Sequence, residues 1–155
     1  MALKASQIAD WMLAKAGIDG ETLTNLKLQK LVYIANGWHL ALLSESLFDE
    51  SVEAWTYGPV VPSVYQNFKR FGAGAINEPG TLYSFGERTG AILNAVWDAY
   101  ANFSAVQLVA MTHKPGTPWS ITFGDGSGKG DVIPTNVISS HYRELANKYA
   151  IKQSA

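Results

Sequence analysis

The hydrophobic positions of the chain recur mostly at steps of three and four, which is the spacing of one face of an α-helix. The clearest stretch follows Thr24, a residue that can cap a helix, and its apolar stripe extends over about four turns. The stripe consists of Leu28, Leu31, Ala35, Trp38 and Leu42. Gly37 lies inside this helix at a cost of about 1 kcal/mol relative to alanine, so we expect a neighbouring element to approach it closely.

The same spacing, with capping residues, predicts helices on both sides of this one. Ser6 and Gly17 would bound a first helix, and Pro62 would start a later one that stops at Gly72. A helix from about residue 87 to residue 103 has so wide an apolar arc that we expect it to be the central helix.

Three more helices are predicted towards the C-terminal end of the sequence. Ser104 and Gln107 form a capping box that opens one helix, which "HKPG" closes. Thr117 followed by proline predicts a short helix. The last helix would begin near Pro134, with an inner face made of Ile138, Tyr142, Leu145 and Tyr149.

The segment "VEAWTYGPVVPSVYQNF", residues 52–68, differs in character because it is rich in aromatic residues and uncharged from Trp55 onward. Its residue types favour an extended conformation with a break at Gly58. We expect Trp55 and Phe68 to point inward, and Tyr57, Val60 and Tyr65 to lie nearer the surface. The fold class expected is mainly α: a compact single-domain helical bundle, residues 1–155, of about six helices with a short extended or β segment around residues 52–61.

Composition narrows the classes of function. Charged residues make up 16% of the chain, against about 25% in an average domain, while five Trp, seven Tyr and six Phe enrich it in aromatic residues. These aromatic residues could form a dense core or be covered in part by a partner. The net charge is −1 and the basic residues are dispersed, which argues against nucleic acid. The absence of cysteine and of an apolar run of about 18 residues predicts a cytoplasmic protein without a membrane contact.

Motifs for catalysis are not found. The loop "GDGSGKGD", residues 124–131, lacks the spacing of a phosphate-binding loop and the ligand pattern of a calcium loop, so we expect a flexible surface loop. His141 and Glu144 are one turn apart, but two ligands do not make a metal site. His113 follows a helix and could be structural or lie at a surface edge. We therefore expect no enzyme, no metal and no cofactor, with an enzyme using His39, His113 or the acidic residues 45–53 as the alternative.

Several short motifs are spaced along the chain in a specific order. They are "KLQKL" at 27–31, "GWH" at 37–39, "LF" at 47–48, "EAW" at 53–55, "YGPVVP" at 57–62 and "MTHKPGTPW" at 111–119. Residues 23–69 resemble the signature region of the Panacea domain, the antitoxin domain that includes SocA-type antitoxins and phage-associated GepA proteins. The later motif looks like the family's threonine-histidine and proline-tryptophan element.

The resemblance implies a mostly helical domain that neutralises a cognate protein toxin by direct binding. It also implies alternatives: an adaptor that delivers the toxin to a protease, a phage-encoded factor that binds a host protein, or, with less support, a nucleic-acid-binding regulator. Truncating an aromatic anchor at the centre of such an interface would cost about 2 kcal/mol. The expected partner-binding residues are Trp55, Tyr57, Pro59, Val60, Tyr65, His113 and Trp119.

Overall fold

A computed structural model describes residues 3–154, with side chains as far as residue 149, and within this range shows seven α-helices and one two-stranded antiparallel sheet. The elements in chain order are α1 (Ala5–Ile18), α2 (Asn25–Leu43), β1 (Glu53–Trp55), β2 (Gly58–Val60), α3 (Pro62–Phe68), a 3₁₀ turn (Lys69–Phe71), α4 (Glu87–Tyr100), α5 (Ala105–His113), α6 (Pro118–Phe123) and α7 (Thr135–Ser154). The prediction of a mainly α fold with a short β segment around residues 52–61 is confirmed. None of the helices described has the length and apolarity needed to cross a membrane.

The central element of the fold is α2. It packs against α1, α4, α5, α7, α3 and β2, and its residues from Leu28 to Gly37 are all buried. The prediction that the helix at residues 87–103 is central is therefore wrong. That helix, α4, ends at Tyr100 and buries one face, while Ala99 is exposed. The apolar spacing underestimated how much of α2 is buried. Several of its buried residues are polar, so the apolar stripe covers only part of its buried surface.

Gly37 lets α7 approach α2. A β-carbon at residue 37 would overlap the ring of Tyr142, a buried residue of α7. This ring packs edge-on against Tyr33 and Trp38 of α2, with centroid distances of 6.0 Å and 5.5 Å. The expected close approach at Gly37 is confirmed.

Most of the predicted boundaries agree with the structure. Thr24 and Thr117 accept hydrogen bonds from the first turns of α2 and α6, and Ser104 forms the expected capping box with Gln107. Pro62 begins α3.

The first helix has different ends from those predicted. α1 begins at Ala5 rather than after Ser6, and the carboxylate of Glu50 accepts the Ala5 N–H at 3.0 Å, one of the donors that the start of a helix leaves without an intrahelical partner. It continues past Gly17 to Ile18, and the chain then takes a positive φ of 72° at Gly20.

The last helix also differs from expectation in part. Ile138 and Tyr142 are buried and Leu145 is half-buried, but Tyr149 is 64% exposed. Tyr149 therefore does not belong to the inner face.

Candidate functional site

The hairpin of β1 and β2 is held by polar side chains of α2 that point into the protein. Gln29, which is 1% exposed, accepts a hydrogen bond from the Val61 N–H at 3.0 Å. Its amide nitrogen donates to Asn25 Oδ1 at 3.0 Å, and Asn25 in turn donates to the Tyr65 carbonyl at 3.2 Å. Two adjacent turns of α2 thus fix the backbone that leads from the hairpin into α3.

Lys30 lies under the hairpin and is fully buried. Its ammonium donates to the Pro59 carbonyl at 3.1 Å, and burial lowers its pKa to about 7 because the charged form loses its hydration. Gly58, in the strand above, has a φ of 117°, which favours glycine. A β-carbon there would lie 3.0 Å from Lys30 Nζ and 3.3 Å from His113 Nε2. Glycine is therefore favoured at this position by conformation, and a β-carbon would also crowd the end of the Lys30 side chain and the His113 ring.

His113 and Trp119 support the hairpin from the other side. Their rings are stacked at 3.9 Å with an interplanar angle of 2°, and Trp119 also stacks on Phe123 at 4.6 Å. The indole N–H of Trp119 donates to the Trp55 carbonyl at 2.6 Å. This contact ties the start of α6 to β1.

The surroundings of the His113 ring change its pKa. Burial lowers its pKa, the charge of Lys30 lowers it further, and a hydrogen bond to the backbone of Tyr57 acts in the opposite direction. Its Nε2 atom is buried without a hydrogen-bond partner among the described residues. His113 is therefore favoured as a neutral ring, packed between Trp119 and the hairpin.

The glycine-rich loop is attached to the free edge of β1. The Gly130 N–H donates to the Ala54 carbonyl at 2.7 Å, and the Ala54 N–H donates to the Asp131 carbonyl at 2.9 Å. A further bond joins the Ile133 N–H to the Val52 carbonyl at 2.8 Å. The loop is exposed over most of its length, as predicted, but its end is hydrogen-bonded to β1.

These elements enclose a groove with a volume of about 870 Å³. Its walls come from the start of α2, the hairpin, α3, the 3₁₀ turn, the first residue of α5 and the glycine-rich loop. Trp55 and Tyr65 meet in it edge-on, with ring centroids 4.9 Å apart. Tyr57, in the two-residue turn of the hairpin, also lines the groove and is 70% exposed.

The structure divides the predicted partner-binding residues into two groups. Trp55, Tyr57, Val60 and Tyr65 line the groove together, whereas Pro59, His113 and Trp119 are not among its lining residues. The expectation that Val60 lies near the surface is wrong, since it is 5% exposed. It pairs with Glu53 in the sheet, and this pairing turns its side chain into the base of the groove.

Most of the groove residues were not anticipated from the sequence, among them Leu26, Lys69 and Lys129. Leu26 lies on the polar side of the predicted α2 stripe, and its 38% exposure agrees with that position. Lys129 belongs to the glycine-rich loop, whose lysine invited a phosphate-binding interpretation but gave no signal for this groove.

Three of the other candidate residues, His39, Glu50 and Glu53, have structural partners. His39 bonds the Glu45 carbonyl at 2.7 Å and the Thr89 hydroxyl at 3.0 Å. In the acidic segment, Glu50 binds the start of α1 and Glu53 accepts from the Trp55 indole at 3.0 Å. Among the described residues, no three His, Cys, Asp or Glu side chains are grouped so that they could hold a metal ion.

Comparison with known proteins assigns the family. The model of the family described as "Antitoxin SocA-like, Panacea domain" matches residues 28–120 of the chain. The chain belongs to this family. It is also 30% identical over 154 residues to Antitoxin SocA of Caulobacter vibrioides (strain NA1000 / CB15N), in an alignment covering 90% of this chain and 82% of the relative. No solved structure matches it.

The matched range of this Panacea domain contains most of the residues that hold the hairpin in place. Gln29 and Lys30 lie near its start, the hairpin follows, and His113 and Trp119 lie near its end. Lys129 and Gly130, which complete the groove, fall outside it. Two of the motifs noted in the sequence, "KLQKL" and "MTHKPGTPW", thus both support the segment from Trp55 to Tyr65.

Proposed function

We propose that this Panacea-domain protein is an antitoxin that neutralises a toxin encoded beside it by binding the toxin directly, in the cytoplasm and without catalysis. The observation that carries the proposal is the aromatic rim of the groove, in which Tyr57 is 70% exposed beside Trp55 and Tyr65. Support for a toxin as the partner comes from the family and from the name of the curated relative, an antitoxin.

The rigidity of the hairpin favours binding through this rim. Val61, Tyr65 and Pro59 are held by side chains of α2, and Trp55 is held by Trp119. Contact residues fixed in this way lose little conformational entropy when a partner docks. Tyrosine and tryptophan are also the residue types that most often dominate interface energies.

The groove and its supports have different roles in this proposal. Trp55, Tyr57 and Tyr65 contact the toxin, with Val60 at the base of the groove. Pro59, His113 and Trp119 act from behind the hairpin, because each is packed against or bonded to groups that face the protein interior. In this proposal Lys30 and His113 position the hairpin and do not act on a substrate.

The test is co-expression with the product of the adjacent gene. We expect that product to arrest growth alone and to be tolerated and co-purified with the wild-type chain. Tyr57→Ala should weaken the complex about 30-fold, the equivalent of about 2 kcal/mol for a central aromatic residue, as measured by titration calorimetry. Because Tyr57 is largely exposed, its truncation should leave the stability of the free protein nearly unchanged.

Tyr149→Ala is the matched control, since Tyr149 is a similarly exposed tyrosine that does not line the groove. It should leave affinity and neutralisation intact. Equal losses of toxin affinity in the two variants would show that the groove is not the binding site. A toxin that vanishes from cells instead of accumulating in a complex would contradict direct masking and favour delivery to a protease.

A further inference from the structure

The groove is lined by basic side chains and by no acidic ones. Lys30, Lys69 and Lys129 are among its lining residues, and none of the lining residues is an aspartate or a glutamate. The chain as a whole has 13 acidic and 12 basic residues, so this one-sided lining is not a reflection of its composition. The remaining groove residues are apolar, aromatic or neutral polar.

Two of these lysines are available to a partner. Lys69, in the 3₁₀ turn, and Lys129, in the glycine-rich loop, are both exposed. Across residues 3–149, the single ion pair joins Arg70 to Glu78, so neither groove lysine has an acidic partner there. Lys30 lies deeper, with the Pro59 carbonyl as its acceptor. A positive charge that is not neutralised within the protein favours a partner of the opposite sign.

We propose that the groove binds an acidic segment of the toxin, in which an apolar or aromatic side chain is flanked by aspartate or glutamate. The apolar side chain lies against Trp55, Tyr65 and Val60, while the flanking carboxylates pair with Lys69 and Lys129. This inference rests on the proposed function, because it specifies the chemistry of the toxin surface that the antitoxin recognises.

The acidic segment 45–53 of a second copy of this chain fits the groove less well. It offers an exposed Asp49, but the adjacent Phe48 and Leu47 are 2% and 1% exposed. This segment therefore has the carboxylate without a free apolar side chain to insert.

A nucleic acid strand also fits less well than an acidic segment. Affinity for a strand depends on the number of phosphates neutralised, and only two exposed lysines line the groove. The base of the groove, at Val60, is apolar and suits a hydrophobic side chain.

The first experiment uses defined peptides and does not require the toxin. Blocked peptides Glu-Phe-Leu-Glu and Lys-Phe-Leu-Lys are titrated into the isotope-labelled protein, and amide chemical shifts are recorded. The acidic peptide should shift Trp55, Tyr57 and Lys129, bind about tenfold more tightly than the basic one, and weaken as salt is added. Equal binding of the two peptides, or shifts confined to other surfaces, would overturn the inference.

The second experiment measures the affinity of the purified toxin for charge variants. Lys69→Glu with Lys129→Glu should weaken binding by about tenfold or more, whereas Lys69→Gln with Lys129→Gln should have a smaller effect in the same direction. Lys114→Glu with Lys148→Glu is the control, since both lysines are exposed and lie outside the groove. Equal losses in the groove and control variants would exclude a role for the groove charges.

The outcomes separate the two proposals. A wild-type chain that binds no toxin refutes the proposed function, while the peptides still decide the chemistry of the groove. A toxin bound with undiminished affinity by the groove-charge variant refutes only the inference. Binding of oligo-dT would also overturn the inference if the Lys69→Glu and Lys129→Glu changes abolish that binding. Self-association in sedimentation that the same changes abolish would overturn it as well.

Discussion

Gln29 shows how a single buried amide can fix a loop. One end accepts from Val61 and the other donates to Asn25, so its removal leaves a buried backbone donor without a partner. An unsatisfied buried group of this kind costs about 1 to 3 kcal/mol.

We expect Gln29→Leu to lower the free energy of unfolding by about 2 kcal/mol, measured by urea denaturation. Gln66→Leu is the control because Gln66 is exposed on α3, and it should change stability by less than about 0.5 kcal/mol. Similar losses in the two variants would show that the bond to Val61 contributes nothing specific.

The burial of Gln29, Lys30 and His39 could not be predicted from periodicity. The apolar stripe of α2 predicted its position and its cap at Thr24, but polar residues between stripe positions usually face water. Gln29 and Lys30 are turned inward because the segment from Pro59 to Val61 crosses α2 with backbone groups that need partners, whereas His39 bonds the Glu45 carbonyl and the Thr89 hydroxyl. The partners of Gln29 and Lys30 are distant in sequence, so no local pattern records them.

The packing of α7 on α2 depends on the absence of a side chain at Gly37. Alanine there would gain about 1 kcal/mol of helix propensity, but its β-carbon would displace the ring of Tyr142. Overpacking of a well-filled core costs about 1 to 3 kcal/mol.

We therefore expect Gly37→Ala to be destabilising, by about 1 kcal/mol net in thermal or urea unfolding. Gly90→Ala tests propensity alone, because a β-carbon at this position in α4 would meet nothing within 4 Å, and it should stabilise the protein by up to about 1 kcal/mol. A stabilising Gly37→Ala would mean that Tyr142 moves aside freely.

Elements were easier to predict than their arrangement. Pro62, Ser104 and Thr117 are local signals with a defined geometry, and each marks the boundary expected of it. The choice of the central helix was wrong because it depended on the width of an apolar arc. The groove requires residues as distant as Leu26 and Lys129, and only the tertiary structure brings them together.

For the whole molecule, Lys30 links stability to pH. Its pKa falls from 10.5 in the unfolded chain to about 7 in the folded protein. Between these values the folded state binds fewer protons than the unfolded state, so the free energy of unfolding rises with pH. The lowered pKa of His113 has the same sign around and below pH 6.5.

We expect the free energy of unfolding to increase between pH 7 and pH 9 by up to about 1.4 kcal/mol per unit, measured by urea denaturation. Lys30→Met should flatten this slope, whereas Lys69→Met, at an exposed lysine, should retain it. The range stays below pH 10 because burial also raises the pKa of Tyr33 and Tyr142, whose effect on stability has the opposite sign there. A slope unchanged in Lys30→Met would show that Lys30 does not titrate in this range.

The hydrogen bonds that join β1 to the glycine-rich loop can form only late in the synthesis of the chain, so the hairpin edge and the groove are completed late. Ala54 leaves the ribosome early, but its partners Gly130 and Asp131 are made more than 70 residues later. Until then one edge of the hairpin is open and the groove lacks the wall that Lys129 and Gly130 provide. A nascent chain that stalls after the family-matched residues 28–120 therefore contains the hairpin and its supports, yet not a finished groove.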